Sequence, residues 1–186
     1  MPYTLQLQTA VDVLHRGGVV AYPTEAVWGL GCNPFNAQAV ERLLQLKQRD
    51  PAKGLILVAA SIKQFEPFLE GLSEQHRETL NQHWPGPYTY LVPANKHVPA
   101  LIKGQHSSVA LRVSAHKQVV ELCQAFGGPV VSSSANIAGE PAPIHAWQVQ
   151  QQLGDALDYL LPGQVGDASR PSEIRDLISG QVLRQG

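Results

Sequence analysis

Three cationic side chains, Lys47, Arg49 and Lys53, fall close together in a chain that holds only 14 lysines and arginines. Leu43 and Leu44 mark the apolar stripe of an amphipathic helix, and Lys47 occupies the next position on that stripe. Because a buried ammonium group needs an acceptor or an anion, this spacing favours an anion-binding loop. The alternative is a solvated helix end, where cations complement the helix dipole.

Thr24 and Glu25 lie on a predicted turn between two apolar stretches, Val19–Tyr22 and Val27–Cys32. Proteins of the α/β class tend to place their ligands at strand ends, so this turn is a candidate part of a binding site. The alternative is that the two side chains only satisfy the amides of the turn.

Hydroxyl and amide groups follow another predicted strand, where Val130 and Val131 lead into Ser132–Asn136. Side-chain donors and free backbone amides in one loop are suited to phosphate or carboxylate, although an ordinary Ser-rich turn has the same composition. Arg112 interrupts the apolar strand Ser108–Val113. An arginine in such a run either lies at the strand end or is paired with an anion.

The elements that must position these groups alternate along the chain, which predicts an α/β sheet with helices packed on it. Residues 94–106 are polar and predict a mobile loop, and Ser61–Gln64 fits a capping box. Asn36 is a suitable N-cap for the helix that carries Leu43. Further helices are predicted over 9–16, 73–83, 117–126 and 144–153, and strands over 19–22, 27–32, 55–60, 88–92, 108–113, 130–131 and 159–161, with shorter ones within 171–176 and 181–184.

Length and composition limit the class of protein. The 186 residues predict one domain over 1–186, and a hydrophobic content of 44% with a mean hydropathy of -0.12 predicts a globular chain with no membrane partner. Cys32 and Cys123 are far apart, which fits a reducing cytoplasm and gives no metal-binding spacing. A net charge of -1 argues against a strongly basic nucleic-acid binder, although a local basic face stays open.

Several familiar chemistries have no motif here. We find no Walker A loop, no dinucleotide-binding glycine pattern, no nucleophile elbow and no evident general base. The remaining polar groups at strand ends would bind an anionic ligand and stabilise charge in a transition state. The residues alone therefore predict a site for a phosphorylated ligand, such as a nucleotide.

Five motifs, in order along the chain, resemble those of the YrdC family. The ending Pro171–Asp176 is similar to the single-domain bacterial members, and the resemblance covers nearly the whole chain. The motifs are Tyr22–Gly31; Leu46–Arg49 with Lys53–Leu55; Trp84–Pro87 with Thr89; Ala110–Val113; and Ser132–Asn136.

This resemblance implies a threonylcarbamoyl-AMP synthase, which combines L-threonine, bicarbonate and ATP into threonylcarbamoyl-adenylate and pyrophosphate. The product supplies the threonylcarbamoyl group for adenosine 37 of ANN-decoding tRNAs. The implied fold is a twisted, open, mixed α/β sheet with flanking helices around a concave cavity. Longer family members carry an additional C-terminal domain, which we do not expect at this length.

The resemblance also implies roles for individual residues. Lys47 and Arg49 would be catalytic and hold the triphosphate, and Mg²⁺ is expected to arrive with ATP rather than on protein ligands. Four residues are expected near threonine and bicarbonate: Thr24, Lys53, Arg112 and Ser132. Ser134 and Asn136 are expected to close over the nucleotide together with Lys47 and Arg49.

Three positions depart from the family pattern. Asp50 stands where proline is frequent and could pair with Arg49 or Lys53, which would weaken their hold on phosphate. Gly54 replaces another frequent proline, and Ala138 replaces a frequent serine. These changes bear on the shape of the loops.

Two other functions are kept as alternatives. The first is an RNA-binding module that assists tRNA or rRNA maturation, and weak binding of tRNA or double-stranded RNA stays open for the synthase as well. The second is a carbamoyl-adenylate module of hydrogenase maturation, which the short chain disfavours. If the chain is the synthase, its protein partners would be the transferase proteins that use the product.

Overall fold

The computed structural model describes residues 3–186 and contains one nine-stranded open sheet flanked by helices. The α-helices are α1 (Tyr3–His15), α2 (Ala37–Leu46), α3 (Glu74–His83), α4 (Ala100–Lys103), α5 (Lys117–Phe126) and α6 (Ala146–Leu153). The strands are β1 (Val20–Pro23), β2 (Trp28–Gly31), β3 (Ile56–Ala59), β4 (Tyr88–Pro93), β5 (Ser108–Val113), β6 (Val130–Ser134), β7 (Tyr159–Leu160), β8 (Glu173–Asp176) and β9 (Val182–Arg184).

The sheet is mixed, as predicted. Its strand order is β7-β1-β2-β6-β3-β5-β4-β8-β9. The pairs β1–β7, β3–β5 and β4–β8 are parallel, and the remaining neighbours are antiparallel. The two edge strands, β7 and β9, do not pair with each other, so the sheet stays open.

Alternate residues of β1, β3 and β6 contribute to two separate hydrophobic cores, because successive side chains point to opposite faces of a sheet. On one face, α1 and α5 pack against Val20, Val58 and Val130. On the other face, α2, α3 and α6 pack against Leu57 and Val131.

Several predicted helix ends are confirmed by their hydrogen bonds. The Asn36 side chain accepts from the Ala39 amide (3.2 Å), and the Ser73 hydroxyl accepts from the His76 amide (3.3 Å). Gly127 ends α5 in the left-handed conformation (φ 86°), where glycine has no Cβ to strain the turn.

Other local predictions were wrong. Helix α1 begins at Tyr3 rather than Thr9, since Leu7 packs on the core and the Tyr3 hydroxyl donates to Glu121 (2.8 Å). Ser61 makes no capping bond; instead the Gln64 side chain accepts from the Ala60 amide (2.8 Å). The residues that follow form 3₁₀ turns over Ile62–Leu69, which contain Pro67.

The predicted mobile loop 94–106 contains the short helix α4. The side chain of Ile102 is buried and its carbonyl accepts from the Leu55 amide (2.8 Å), which ties this segment to the start of β3. Because the segment is mostly polar, its sequence did not predict the buried position of Ile102.

Two glycines allow the loops before β3 and after α4 to touch. Gly54 and Gly104 both have positive φ, at 64° and 60°. A Cβ at Gly104 would lie 2.6 Å from the Ala52 carbonyl oxygen, and a Cβ at Gly54 would lie 2.9 Å from the Lys103 carbonyl oxygen. Proline at position 54, frequent in the family, could not adopt this φ, so the departure noted above defines the local loop shape.

We predict that Gly104→Ala lowers the free energy of unfolding for two reasons. The alanine would be strained at a positive φ, and its Cβ would collide with the Ala52 carbonyl oxygen. Gly71→Ala is the matched control, because Gly71 also has a positive φ (89°) but nothing lies within 4 Å of its Cβ position. Urea unfolding should show a cost of about 1 kcal/mol for Gly71→Ala and at least about 1 kcal/mol more for Gly104→Ala. Equal costs would contradict the close approach of the two loops.

Candidate functional site

One register row across four strands forms the floor of a cavity. Ser132 pairs with Ile56, Ile56 with Ala110, and Ala110 with Leu91. Residues paired across neighbouring strands point to the same face, so these four side chains form a continuous surface. All four line the cavity, on the face that carries α1 and α5.

The cavity has a volume of about 470 Å³. This lies within the usual range for small-molecule sites, roughly 300–1,000 Å³. Residues of the walls come mainly from connecting segments, within 24–27, 49–55, 102–108 and 168–172, and from the ends of β6 and β9, at 133–134 and 183–184.

The cavity wall is strongly cationic in a chain whose net charge is -1. Within residues 3–186, Glu25 is the one acidic residue that lines it. Six lysines and arginines line it: Arg49, Lys53, Lys103, Arg112, Arg170 and Arg184. A concave surface with this charge balance concentrates anions.

Arg49 combines a fixed position with unused hydrogen-bonding capacity. Its Nη2 donates to the Gly54 carbonyl (3.0 Å), whereas its buried Nε has no acceptor within residues 3–186. Burial lowers the pKa of Arg49, and the nearby charge of Asp50 opposes that effect. A phosphate oxygen would satisfy the free donor.

Asp50 does not make the ion pair that the sequence suggested. Its carboxylate accepts from the Ala52 amide (2.9 Å) and caps the 3₁₀ turn Pro51–Lys53. No ion pair between Asp50 and Arg49 or Lys53 occurs in the described part of the chain. Asp50 therefore shapes the cationic loop without neutralising it.

Arg112 is paired with an anion, which is one of the two possibilities that the sequence left open. Its Nη1 donates to Glu25 Oε2 (2.8 Å), and the Ser114 hydroxyl donates to Glu25 Oε1 (2.7 Å). Burial acts to raise the pKa of Glu25, but the charge of Arg112 and the hydrogen bond from Ser114 outweigh it and hold that pKa below its ordinary value. Both carboxylate oxygens are therefore engaged, and Glu25 stays ionised.

Lys47 lies behind the cavity wall and is not one of the residues that line it. Only 2% of the residue is exposed, and its Nζ donates to the carbonyl oxygens of Ser134 and Asn136. Its own carbonyl accepts from the Ala138 amide (2.8 Å). Burial, followed by the charge of Arg49, lowers the pKa of Lys47 to about 8. The ammonium group thus supports the Ser-rich segment Ser132–Asn136. This segment was predicted as a loop, but its first three residues continue strand β6.

The eight predicted site residues divide into two groups. Six line the cavity: Thr24, Arg49, Lys53, Arg112, Ser132 and Ser134. Lys47 and Asn136 lie outside the lining, and the Asn136 amide nitrogen donates to the Ile137 and Glu140 carbonyls (2.9 and 2.7 Å). The Thr24 hydroxyl donates to the Val27 carbonyl (2.7 Å), which leaves its oxygen free to accept. Their roles toward ligands stay predictions.

Sequence reasoning missed part of the wall. The sequence placed Glu25 on a candidate binding turn but gave it no site role of its own, and Arg184 was interpreted only as part of a short strand. In the structure, the Arg184 guanidinium donates through Nε and Nη2 to the Ser172 carbonyl (3.1 and 2.7 Å). Lys103 and Arg170 also line the cavity. No spacing pattern along the sequence predicts these residues, because the segments that carry them come together only in the folded sheet.

Neither a metal centre nor a membrane span is found within residues 3–186. No group of three or more His, Cys, Asp or Glu side chains is placed to hold a metal ion. The helices described for this chain include none with the length and apolar character needed to cross a bilayer.

Comparison with known proteins gives consistent matches. The Sua5/YciO/YrdC family model, described as "Telomere recombination", matches residues 12–186. A threonylcarbamoyl-AMP synthase of Chromohalobacter salexigens is 54% identical over 180 residues, 97% of each chain. One from Cellvibrio japonicus is 52% identical over 94% of this chain and 93% of its own length.

A solved structure extends the comparison to the fold. The crystal structure of P. abyssi Sua5 complexed with L-threonine matches with a TM-score of 0.86 and 31% identity. The match covers 91% of this chain and 50% of that one, so the present chain spans half the length of Sua5.

The depressed pKa of Lys47 predicts a pH-dependent stability. The unfolded chain holds this proton up to the ordinary pKa of 10.5, whereas the folded chain releases it near 8. Because the unfolded state then binds more protons between these values, rising pH favours the folded state. The stabilisation is complete above the unfolded pKa and is lost as the pH falls through about 8.

Urea unfolding of the wild type and of Lys47→Met, from about pH 7 to about pH 10, measures this effect. The variant keeps the length of the side chain and removes its titration. The free energy of unfolding of the wild type should rise relative to that of the variant across this range. A difference that does not change with pH would show that Lys47 is not buried as described.

Proposed function

The chain belongs to the Sua5/YciO/YrdC family, and from that membership we propose that it makes threonylcarbamoyl-AMP from L-threonine, bicarbonate and ATP. The observation that carries the proposal is the cavity, whose wall has six cationic side chains and one carboxylate. Each substrate is an anion or carries a carboxylate, and all three must meet in one place.

The proposed reaction has two steps that conserve all atoms. The threonine amine attacks the carbon of bicarbonate, and loss of water gives an N-carboxylate. An oxygen of this carboxylate then attacks the α-phosphorus of ATP, a phosphorus–oxygen bond to the β-phosphate breaks, and pyrophosphate leaves. Such a transfer depends on positioning and on cations that offset the charge, more than on a protein base.

The lining residues suit these tasks. Arg49, with its free buried Nε, is placed to bind the triphosphate, and Ser132 and Ser134 offer hydroxyl donors on the cavity floor and wall. Arg112 and Lys53 supply positive charge for the threonine carboxylate or the acyl-phosphate bridge. Lys47 would act on the nucleotide through the loop whose carbonyls it binds.

Glu25 is a poor candidate for a general base. Its carboxylate accepts from both Arg112 and Ser114, and its pKa is lowered, so it would not retain a proton taken from the threonine amine. The same engagement leaves no free lining carboxylate for a metal ion, so Mg²⁺ would enter as MgATP, held by the phosphates.

The RNA-binding alternative has less support. The cationic residues identified here line a cavity of about 470 Å³, which suits a nucleotide better than a nucleic-acid duplex. Transfer of the product to adenosine 37 of tRNA would then require separate transferase proteins as partners. A cytoplasmic location remains our expectation for such an enzyme.

Incubation of the purified protein with L-threonine, bicarbonate, MgATP and pyrophosphatase tests the proposal. Chromatography should detect threonylcarbamoyl-AMP, formed only when all three substrates are present. A well-folded protein that gives no threonine-dependent product would contradict the proposed function.

Arg49→Ala should lower turnover by about tenfold or more, because it removes a preorganised charge from the triphosphate site. Arg16→Ala is the matched control, since Arg16 is exposed and lies outside the cavity lining. Initial rates of pyrophosphate release measure both. Equal rates for wild type and Arg49→Ala would show that the cationic loop is only a solvated helix end.

A further inference from the structure

We infer that Glu25 is the positioning residue for Arg112 and holds its guanidinium in the conformation that binds the carboxylate of the amino-acid substrate. The inference rests on the proposed function and extends it, because it names the group that orients one contact to threonine. Glu25 itself would not touch the reacting atoms.

The contact between the two side chains occupies only one end of the guanidinium. Arg112 Nη1 donates to Glu25 Oε2 (2.8 Å), and the side chains of Arg112 and Glu25 are only 10% and 18% exposed. Arg112 Nε is buried and has no acceptor in the part of the chain that the structure describes. A guanidinium held at one nitrogen, with a buried donor left over on a cavity wall, is suited to a carboxylate ligand.

Glu25 is itself held rigidly enough to act as a support. The hydroxyl of Ser114, a fully buried residue, donates to Glu25 Oε1 (2.7 Å) and accepts from the His116 amide (3.1 Å). The Ser114 amide donates to the Ala59 carbonyl (3.1 Å), so the hydroxyl is attached to the end of β3.

The backbone of the turn is fixed as well. The Gly166 amide donates to the Thr24 carbonyl (2.9 Å), and the Ala168 amide donates to the Glu25 carbonyl (3.1 Å). The segment that supplies these two amides continues into residues 168–172 of the cavity wall. Glu25 therefore connects three parts of the site: the β1–β2 turn, strand β5 and this wall segment.

Charge alone would give Glu25 the opposite effect. A carboxylate on a cationic wall lowers the positive potential there and weakens the binding of an anion. A favourable contribution must then come from geometry, because a long arginine side chain loses rotamer freedom when it binds. Because Glu25 already restricts the Arg112 side chain in the unliganded protein, part of this loss of rotamer freedom occurs before the ligand binds.

Glu25→Gln separates the two effects, because it removes the charge and keeps a similar shape. We expect the KM for L-threonine to rise by about tenfold, the size expected for loss of a charge-assisted hydrogen bond. The KM for ATP should stay within about twofold, since Arg49 and the Ser-rich loop are untouched. Glu41→Gln, at an exposed site on α2 outside the cavity lining, is the matched control.

Glu25→Asp provides a second variant that keeps the negative charge near Arg112 and withdraws it by one methylene. A positioning role predicts a raised KM for threonine here too, whereas a purely electrostatic role predicts the wild-type value. Circular dichroism and urea unfolding of each variant show whether it is folded when the kinetics are measured.

A double-mutant cycle with Arg112→Lys tests whether Glu25 acts through Arg112. If it does, adding Glu25→Gln to Arg112→Lys should change the KM for threonine by less than about twofold. An unchanged or lower KM for threonine in Glu25→Gln, or additive effects in the cycle, would overturn the inference. A wild-type protein that makes no threonylcarbamoyl-AMP would instead contradict the proposed function, so the two failures are distinguishable.

Discussion

The repulsion between positive side chains gathered in one cavity is the constraint on which this structure depends. Several of these cations are held by backbone carbonyls rather than by carboxylates. On the wall, Arg49 donates to the Gly54 carbonyl and Arg184 to that of Ser172; behind the wall, Lys47 donates to those of Ser134 and Asn136. These dipoles hold each cation without cancelling its charge, so the cavity keeps its attraction for anions. Among the lining cations within residues 3–186, only Arg112 makes an ion pair, with Glu25.

The sheet provides the rigid frame for this arrangement. Its side chains alternate between two faces, so the strands that build a hydrophobic core on one side present Ser132, Ile56, Ala110 and Leu91 as a floor on the other. The charged groups lie at the margins of that floor, at the ends of strands and helices or in the segments that connect them. Chemistry is thus placed on segments whose ends are fixed by strands, which is a common arrangement for binding sites.

The parts of the fold that local pattern determines could be predicted from the sequence. Helix α5 and strand β5 have the predicted bounds, because periodicity, caps and apolar runs act over a few residues. The pairing of Glu25 with Arg112 spans 87 positions, and the carbonyl partners of Lys47 carry no residue-type signal at all. Such contacts depend on tertiary geometry, as does helix α4, whose anchor Ile102 lies within a polar segment.

The contact between the Gly54 and Gly104 loops has a mechanical consequence. Backbone hydrogen bonds join the two segments at Leu55–Ile102 and Gln105–Ala52, so they form one connected part of the wall rather than two independent loops. Lys53 lies in the segment before β3 and Lys103 lies at the end of α4, and both line the cavity. The positions of the two lysines are therefore coupled, because neither segment can shift without breaking backbone hydrogen bonds to the other.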